Sequence, residues 1–185
     1  MSAPPSTLWT LGHSNRAWAE LFALLEAHAI ACVADVRRFP RSRRHPHFSR
    51  ESLALALPAA GVRYEHRPGL GGMREPDGRS TNAGLRPGPF RGYADYMQTA
   101  EFAGQIGALL ALAREGCTAM ICAEAAPDEC HRSLIADALT ARGLVVEHIL
   151  GAGETRRHTL TRGARVEGTR VTYPATQTTL GIEPD

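Results

Sequence analysis

The chain has 185 residues, 43% hydrophobic and 22% charged, with a formal net charge of +2, which suits one domain with a proper core and excludes a disordered polar chain. No apolar run approaches the roughly 20 residues that span a bilayer, and residues 1–6 lack the flank and apolar stretch of a signal peptide, so the expectation is a cytoplasmic protein without a membrane partner. Four cysteines in such a chain are expected as thiols, ligands or nucleophiles and not as a disulfide framework.

Taken in chain order, Leu8, Trp9, Thr10 and Leu11 form a short β run that ends in a turn-like tetrad, Gly12, His13, Ser14 and Asn15. Trp18, Leu21, Phe22, Leu24 and Leu25 recur at helical spacing over 17–28. Residues 30–34 are continuously apolar, as in a strand buried on both faces, and lead into Asp35, Val36 and Arg37. A helix is expected over 50–57 with Ser49 as its N-cap, followed by an alternating strand over 62–66. Residues 67–92 are rich in Gly and Pro and hold Leu70, Gly71 and Gly72 without a sustained period; a loop this long inside a compact domain is usually functional or mobile.

Helices are expected over 93–99 and 100–115, the second with Phe102, Ile106, Leu109, Leu110 and Ala113 on one face. A buried strand over 118–122, a helix over 127–142 stopped by Gly143 and a strand over 144–150 complete the pattern. Five strands alternating with helices predict an α/β fold: a mainly parallel five-stranded sheet flanked on both faces, a Rossmann-like or rhodanese-like three-layer sandwich. Residues 1–150 are expected to form that domain, and 151–185 an Arg- and Thr-rich appendage that fits a β-hairpin and a frayed tail equally well.

Ligands of such sheets bind outside the carboxyl ends of the strands. The polar groups fall there: His13, Ser14 and Asn15 after the first strand, Asp35 and Arg37 after the second, Cys122 and Glu124 after the fourth. Cys130, His131 and Arg132 follow within one loop of Cys122. In the functional reading Cys122 or Cys130 is a nucleophile, because a helix N-terminus and a cationic neighbour favour thiolate. His131 and His13 then carry protons, Arg37 and Arg132 clamp an anion, and Glu124 and Asp35 orient them. In the bland reading the cysteines are packed thiols and Arg132 pairs with Glu124 or Asp128. A metal reading joins Cys122, Cys130 and His131 with His13, although Cys-x₇-Cys is not the close pair of structural zinc sites; no metal or other cofactor is assigned. Cys32 and Cys117 border apolar runs and are expected as buried filler. Gly71 and Gly72 allow close backbone approach to a ligand or a simple turn. Tyr93 is a candidate ligand contact, its bland reading a packed aromatic.

Every basic residue other than histidine is Arg, and residues 36–50 hold Arg37, Arg38, Arg41, Arg43, Arg44 and Arg50 with His45 and His47 and no acid. This cluster can track a phosphate backbone with Phe39 and Phe48 stacking on bases, or be a solvated basic loop.

The combined motifs resemble the bacterial and archaeal family called domain of unknown function 488. They are Gly12-His13-Ser14-Asn15, Asp35-Val36-Arg37 with Pro40 and Ser42, Tyr64 and His66, Leu70-Gly71-Gly72, Tyr93, Tyr96 and Met97, and Cys122-x-Glu124-x-x-Pro127-x-x-Cys130-His131-Arg132. The resemblance runs from residue 10 to about 150 and implies kinship, the family having no settled activity. A looser similarity links Asp35-Val36-Arg37 and the cysteine between strand and helix to rhodanese-like domains, with a longer loop here than the compact cradle of that fold. Together these readings lead to a pocket for an anionic small molecule or nucleotide, with nucleic acid as the alternative partner and a metal- or haem-binding protein as the third.

Overall fold

The structure, a computed structural model, describes residues 7–41 and 44–175. Ser42 of the family motif, Arg43 of the basic cluster, the first six residues and the end of the tail lie outside them. Among the described residues no helix is long and apolar enough to cross a membrane.

The described residues form an α/β fold around a six-stranded sheet with five α-helices. In chain order the main elements are β1 (Thr7–Gly12), α1 (Trp18–Ala27), β2 (Cys32–Asp35), α2 (Arg50–Ala59), β3 (Arg63–His66), α3 (Pro89–Tyr96), α4 (Ala100–Glu115), β4 (Thr118–Cys122), α5 (Arg132–Thr140), β5 (Val145–Gly151) and β6 (Glu154–Arg157). The sheet order is β3-β2-β4-β1-β5-β6. The first five strands are parallel, and β6 returns antiparallel along β5. The sixth strand exceeds the sequence expectation of five. Its four residues are all exposed and carry no apolar alternation, so it is held by ladder hydrogen bonds at an edge, a placement that polar residues tolerate.

Side-chain alternation divides the core in two. Leu21, Leu24 and Leu25 of α1 and Leu53 and Leu57 of α2 pack with Val33, Ala119 and Ile121 on one face. Phe102, Ile106 and Leu109 of α4 and Leu134, Ile135 and Leu139 of α5 pack with Leu8, Ala34 and Met120 on the other. The result is a three-layer sandwich. Ser49 caps α2 by accepting the Ser52 N–H at 3.1 Å, and Thr99 caps α4 by accepting the Phe102 N–H at 3.2 Å, as these residue types do at N-caps.

Beyond β6 lies a two-stranded ribbon, β7 (Arg165–Glu167) with β8 (Arg170–Thr172). Its exit is anchored: Val171 and Tyr173 join the core, and the Tyr173 hydroxyl donates to Asp137 of α5 at 2.6 Å. The same fully buried carboxylate accepts from His158 Nε2 at 2.8 Å and from the Thr161 N–H at 2.9 Å. His158 Nδ1 lies 3.0 Å from His148 Nε2, and His148 Nδ1 lies 2.6 Å from the Thr10 hydroxyl. This relay satisfies a buried acid and fastens residues 158–173 to the sheet.

Candidate functional site

β1 and β4 are neighbours, but the chain leaves them in opposite directions: α1 packs on one face and α5 on the other. A crevice therefore opens at their carboxyl ends, the switch point where ligands bind in such sheets. Gly12 pairs with Cys122 in register, and the pairing continues beyond the strands through the His13 N–H on the Cys122 carbonyl and the Ser14 N–H on the Ala123 carbonyl. Gly12 is required by contact, since a Cβ there would stand 1.8 Å from the Glu124 carbonyl oxygen.

The segment after β4 does not begin the helix expected from residue 127. Pro127–Glu129 make a single 3₁₀ turn, Cys130 is extended (φ −129°, ψ 140°), and α5 starts at Arg132. This break turns Cys130 and His131 inward over Cys122. Cys122 Sγ donates to Glu124 Oε2 at 3.2 Å, and His131 Nδ1 lies 3.9 Å from Cys122 Sγ and 3.8 Å from Cys130 Sγ. The other imidazole nitrogen, Nε2, lies 3.2 Å from the Val36 carbonyl. A carbonyl only accepts, so Nε2 carries hydrogen and Nδ1 is the atom turned to the sulfurs.

The two thiols are driven apart in acidity. Contact with Cys122, then His131 and Arg132, lower the Cys130 pKa against the opposing effect of burial. Cys122 goes the other way, held protonated by its contact with Cys130, by burial and by the Glu124 charge. Burial raises Glu124, but hydrogen bonds from its own backbone N–H and from the Cys122 thiol outweigh it and leave the carboxyl below its ordinary value. The cluster thus favours one thiolate, at Cys130, beside one thiol.

A second cluster lies across the crevice. Asp35, fully buried, binds Arg37 through two parallel bonds, Nε–Oδ1 at 2.8 Å and Nη2–Oδ2 at 2.6 Å, and accepts the Tyr64 hydroxyl at 2.7 Å. Arg37 Nη1 lies 3.0 Å from His13 Nε2, and His13 Nδ1 lies 2.9 Å from the Ser14 carbonyl. His13 therefore carries its hydrogen on Nδ1 and accepts from Arg37 at Nε2. Burial, with Arg37 as neighbour, lowers its pKa to about 4, although the Ser14 contact opposes this. Both ring nitrogens are engaged, which removes His13 from the metal set considered with Cys122, Cys130 and His131.

These clusters border two cavities, not one. The smaller, about 150 Å³, is lined by Gly72, Met73, Pro89, Phe90, Glu129, Cys130, His131 and Glu124. The larger, about 560 Å³, is lined by His13, Ser14, Asn15, Arg37, Phe39, Arg41, Arg44, His45, Ala123 and Glu124. Glu124 belongs to both walls, while Asp35 orients Arg37 from behind.

Other candidates have structural partners. Arg132 is 1% exposed, and its guanidinium donates to the Glu124 and Ala125 carbonyls at 2.5 and 2.6 Å; it braces the loop and does not face a cavity. Tyr93 is buried and donates to the Leu70 carbonyl at 2.7 Å, its ring against His131. Gly71 and Gly72 serve close approach to the protein itself: a Cβ at 71 would meet Arg38 Cβ at 2.5 Å, and one at 72 would meet His131 Nδ1 at 2.8 Å. Cys32 is buried, whereas Cys117 is only half-buried, its Sγ near the His28 carbonyl. Sequence reasoning missed the Val36 carbonyl, which orients His131, and Glu124 as a shared wall; the first leaves no side-chain signal, and the second needs the two cavities.

Fold and site together define an α/β protein with a thiol-centred pocket at the carboxyl edge of a parallel sheet. The family model described as Domain of unknown function DUF488 matches residues 17–139, and the chain belongs to that family. The match takes in Asp35, Arg37, the two glycines and the segment from Cys122 to Arg132, and begins after His13. No curated protein and no solved structure matches the chain.

Proposed function

We propose that the protein is an enzyme acting on an anionic small molecule or nucleotide, with the Cys130 thiolate as nucleophile. The observation that carries this reading is the placement of Cys130, buried, in a cavity wall, with a second thiol and an oriented imidazole against its sulfur. A group of a few atoms fits a cavity of about 150 Å³, which falls below the ~300–1,000 Å³ typical of whole-ligand pockets. The body of the substrate would lie in the larger cleft. Among the described residues ion pairs engage Arg16, Arg37, Arg63, Arg67 and Arg156, but not Arg41 or Arg44, which leaves these two to meet an anion. In the reaction the Cys130 sulfur would form a bond to an electrophilic centre of the substrate as the bond to a leaving group breaks, His131 would take the Cys130 proton at Nδ1 and pass it to that leaving group, and Glu124 would hold the Cys122 thiol in place.

Phe39, 69% exposed with the Arg38 guanidinium 5.6 Å from its ring centroid, favours nucleic acid as a second reading of the cleft. Mass-mapped alkylation of reduced, metal-free protein tests the nucleophile: Cys130 is expected to react with iodoacetamide faster than an ordinary thiol and to keep reacting below about pH 7. Cys130 modified only after denaturation would overturn it. Anion binding is tested by thermal stabilisation across a panel of phosphates, nucleotides and carboxylates, with Arg41→Ala and Arg44→Ala reducing the effect. Binding of oligonucleotide alone, with a steep salt dependence, would replace the small-molecule reading by the second.

A further inference from the structure

We infer that Cys122, Cys130 and His131 form a zinc site in which metal occupancy and nucleophilic reactivity exclude one another. Among the described residues these three are the one group of His, Cys, Asp and Glu whose ligand atoms come together for a metal, all lying within 4.8 Å of one another. Ligands of a tetrahedral zinc ion, at about 2.3 Å for sulfur and about 2.0–2.1 Å for nitrogen, stand about 3.5–3.8 Å apart. The sulfur-to-Nδ1 distances, 3.9 and 3.8 Å, need only a small contraction to close on an ion.

Three further features suit a metal. His131 Nε2 is tied to the Val36 carbonyl, the outer contact that fixes a ligating imidazole and directs its other nitrogen inward. Gly72 keeps the space at Nδ1 open, because a Cβ there would stand 2.8 Å away. Glu124 Oε2, 3.2 Å from Cys122 Sγ, borders the same cavity as Cys130 and His131, where the fourth coordination position would open. Two thiolates and one imidazole with an open position are the donor set of a reactive zinc site, unlike the closed four-ligand structural kind, and their softness selects zinc over magnesium or calcium. Binding releases the proton of each thiol still protonated and turns both sulfur lone pairs to the ion, leaving a neutral centre. The exclusion follows because a thiolate that shares an electron pair with zinc, in a centre brought to neutrality, is a far weaker nucleophile than the free thiolate, and this part of the inference rests on Cys130 being the nucleophile proposed above.

The test uses the full chain, reduced and stripped of metal, titrated with zinc against a chromophoric chelator and with cobalt as an optical reporter. One equivalent is expected to bind, with thiolate-to-cobalt charge-transfer bands. Cys122→Ser and His131→Asn should weaken zinc binding about 100-fold and Gly72→Ala about 10-fold, while Cys117→Ser should leave it unchanged and circular dichroism reports folding of each variant. Zinc should block alkylation of Cys130, and a chelator should restore it. Absence of stoichiometric binding, or binding that survives both Cys122→Ser and His131→Asn, would overturn the zinc site. Fast alkylation without zinc binding removes the metal and keeps the nucleophile, whereas zinc binding with a Cys130 inert in the metal-free form removes the nucleophile and keeps the metal.

Discussion

Gly12 at the end of β1 packs against the Glu124 backbone just beyond β4: the α-carbon of Gly12 lies so near the Glu124 carbonyl that no side chain fits, an ideal Cβ falling 1.8 Å from that oxygen. The contact is with backbone, which cannot swing aside as a flexible side chain does. Gly12→Ala is therefore expected to push the segment carrying Glu124 away from the sheet and to disturb both cavities. Differential scanning calorimetry should show a lowered Tm, and alkylation of Cys130 in metal-free protein should slow. A variant with unchanged Tm and unchanged reactivity would show that the loop is not braced by Gly12.

The asymmetry of the thiols depends on Cys122. Its contact is the largest influence lowering Cys130, ahead of His131 and Arg132. In metal-free Cys122→Ala the pH midpoint of Cys130 alkylation should rise toward that of a free thiol, and Cys122→Ser, which keeps a donor, should rise less. Equal midpoints in all three proteins would assign the acidity to His131 and Arg132 alone.

Much of the fold is legible in the sequence. The helix at 100–115 and the strand at 118–122 are readable to the residue, the first from an unbroken helical period and the second from a run buried on both faces. The start of α5 is not. Pro127, Asp128 and Glu129 have the composition of a first helical turn, yet inward contacts of Cys130 and His131 break the backbone before Arg132. Arg132 carries the signature of an anion clamp and instead supports the loop above it, a distinction that only burial makes. Asp137 sits in a helix as an ordinary acid until Tyr173, His158 and Thr161 converge on it from a segment more than twenty residues away.

Two buried histidines make the fold sensitive to acid. Burial lowers His13 to about 4, and burial with His158 as neighbour lowers His148 to about 3. The unfolded rings titrate at about 6.5, so between about pH 6.5 and 4 the unfolded chain binds more protons and stability decreases as the pH is lowered. Their contribution is present above about pH 6.5 and is lost as pH falls toward the folded values. Denaturant titrations from neutral to acid pH should show this loss, with a shallower slope in His148→Gln. A flat profile down to about pH 4 would contradict the buried neutral state of both rings.

The Asp35–Arg37 pair leads to an unequal prediction. Asp35 is fully buried, its carboxylate held by Arg37 and by the Tyr64 hydroxyl, whereas Arg37 is 7% exposed and borders the larger cavity. Removing one member of a buried ion pair costs about 3–5 kcal/mol because the other charge is stranded. Arg37→Leu strands a carboxylate with one remaining side-chain donor and no route to water. Asp35→Ala strands a guanidinium that can turn toward the cavity, so it should cost less. Tyr64→Phe removes one hydrogen bond to a charged group, about 1.5–3 kcal/mol. Chemical denaturation of the single variants and the double Asp35→Ala/Arg37→Leu protein gives the coupling directly. The double variant should be more stable than Arg37→Leu alone, since it leaves no unpaired charge behind. Additive losses would mean that Asp35 and Arg37 contribute independently, and Arg37 would then be a cavity residue whose orientation does not depend on the acid beside it.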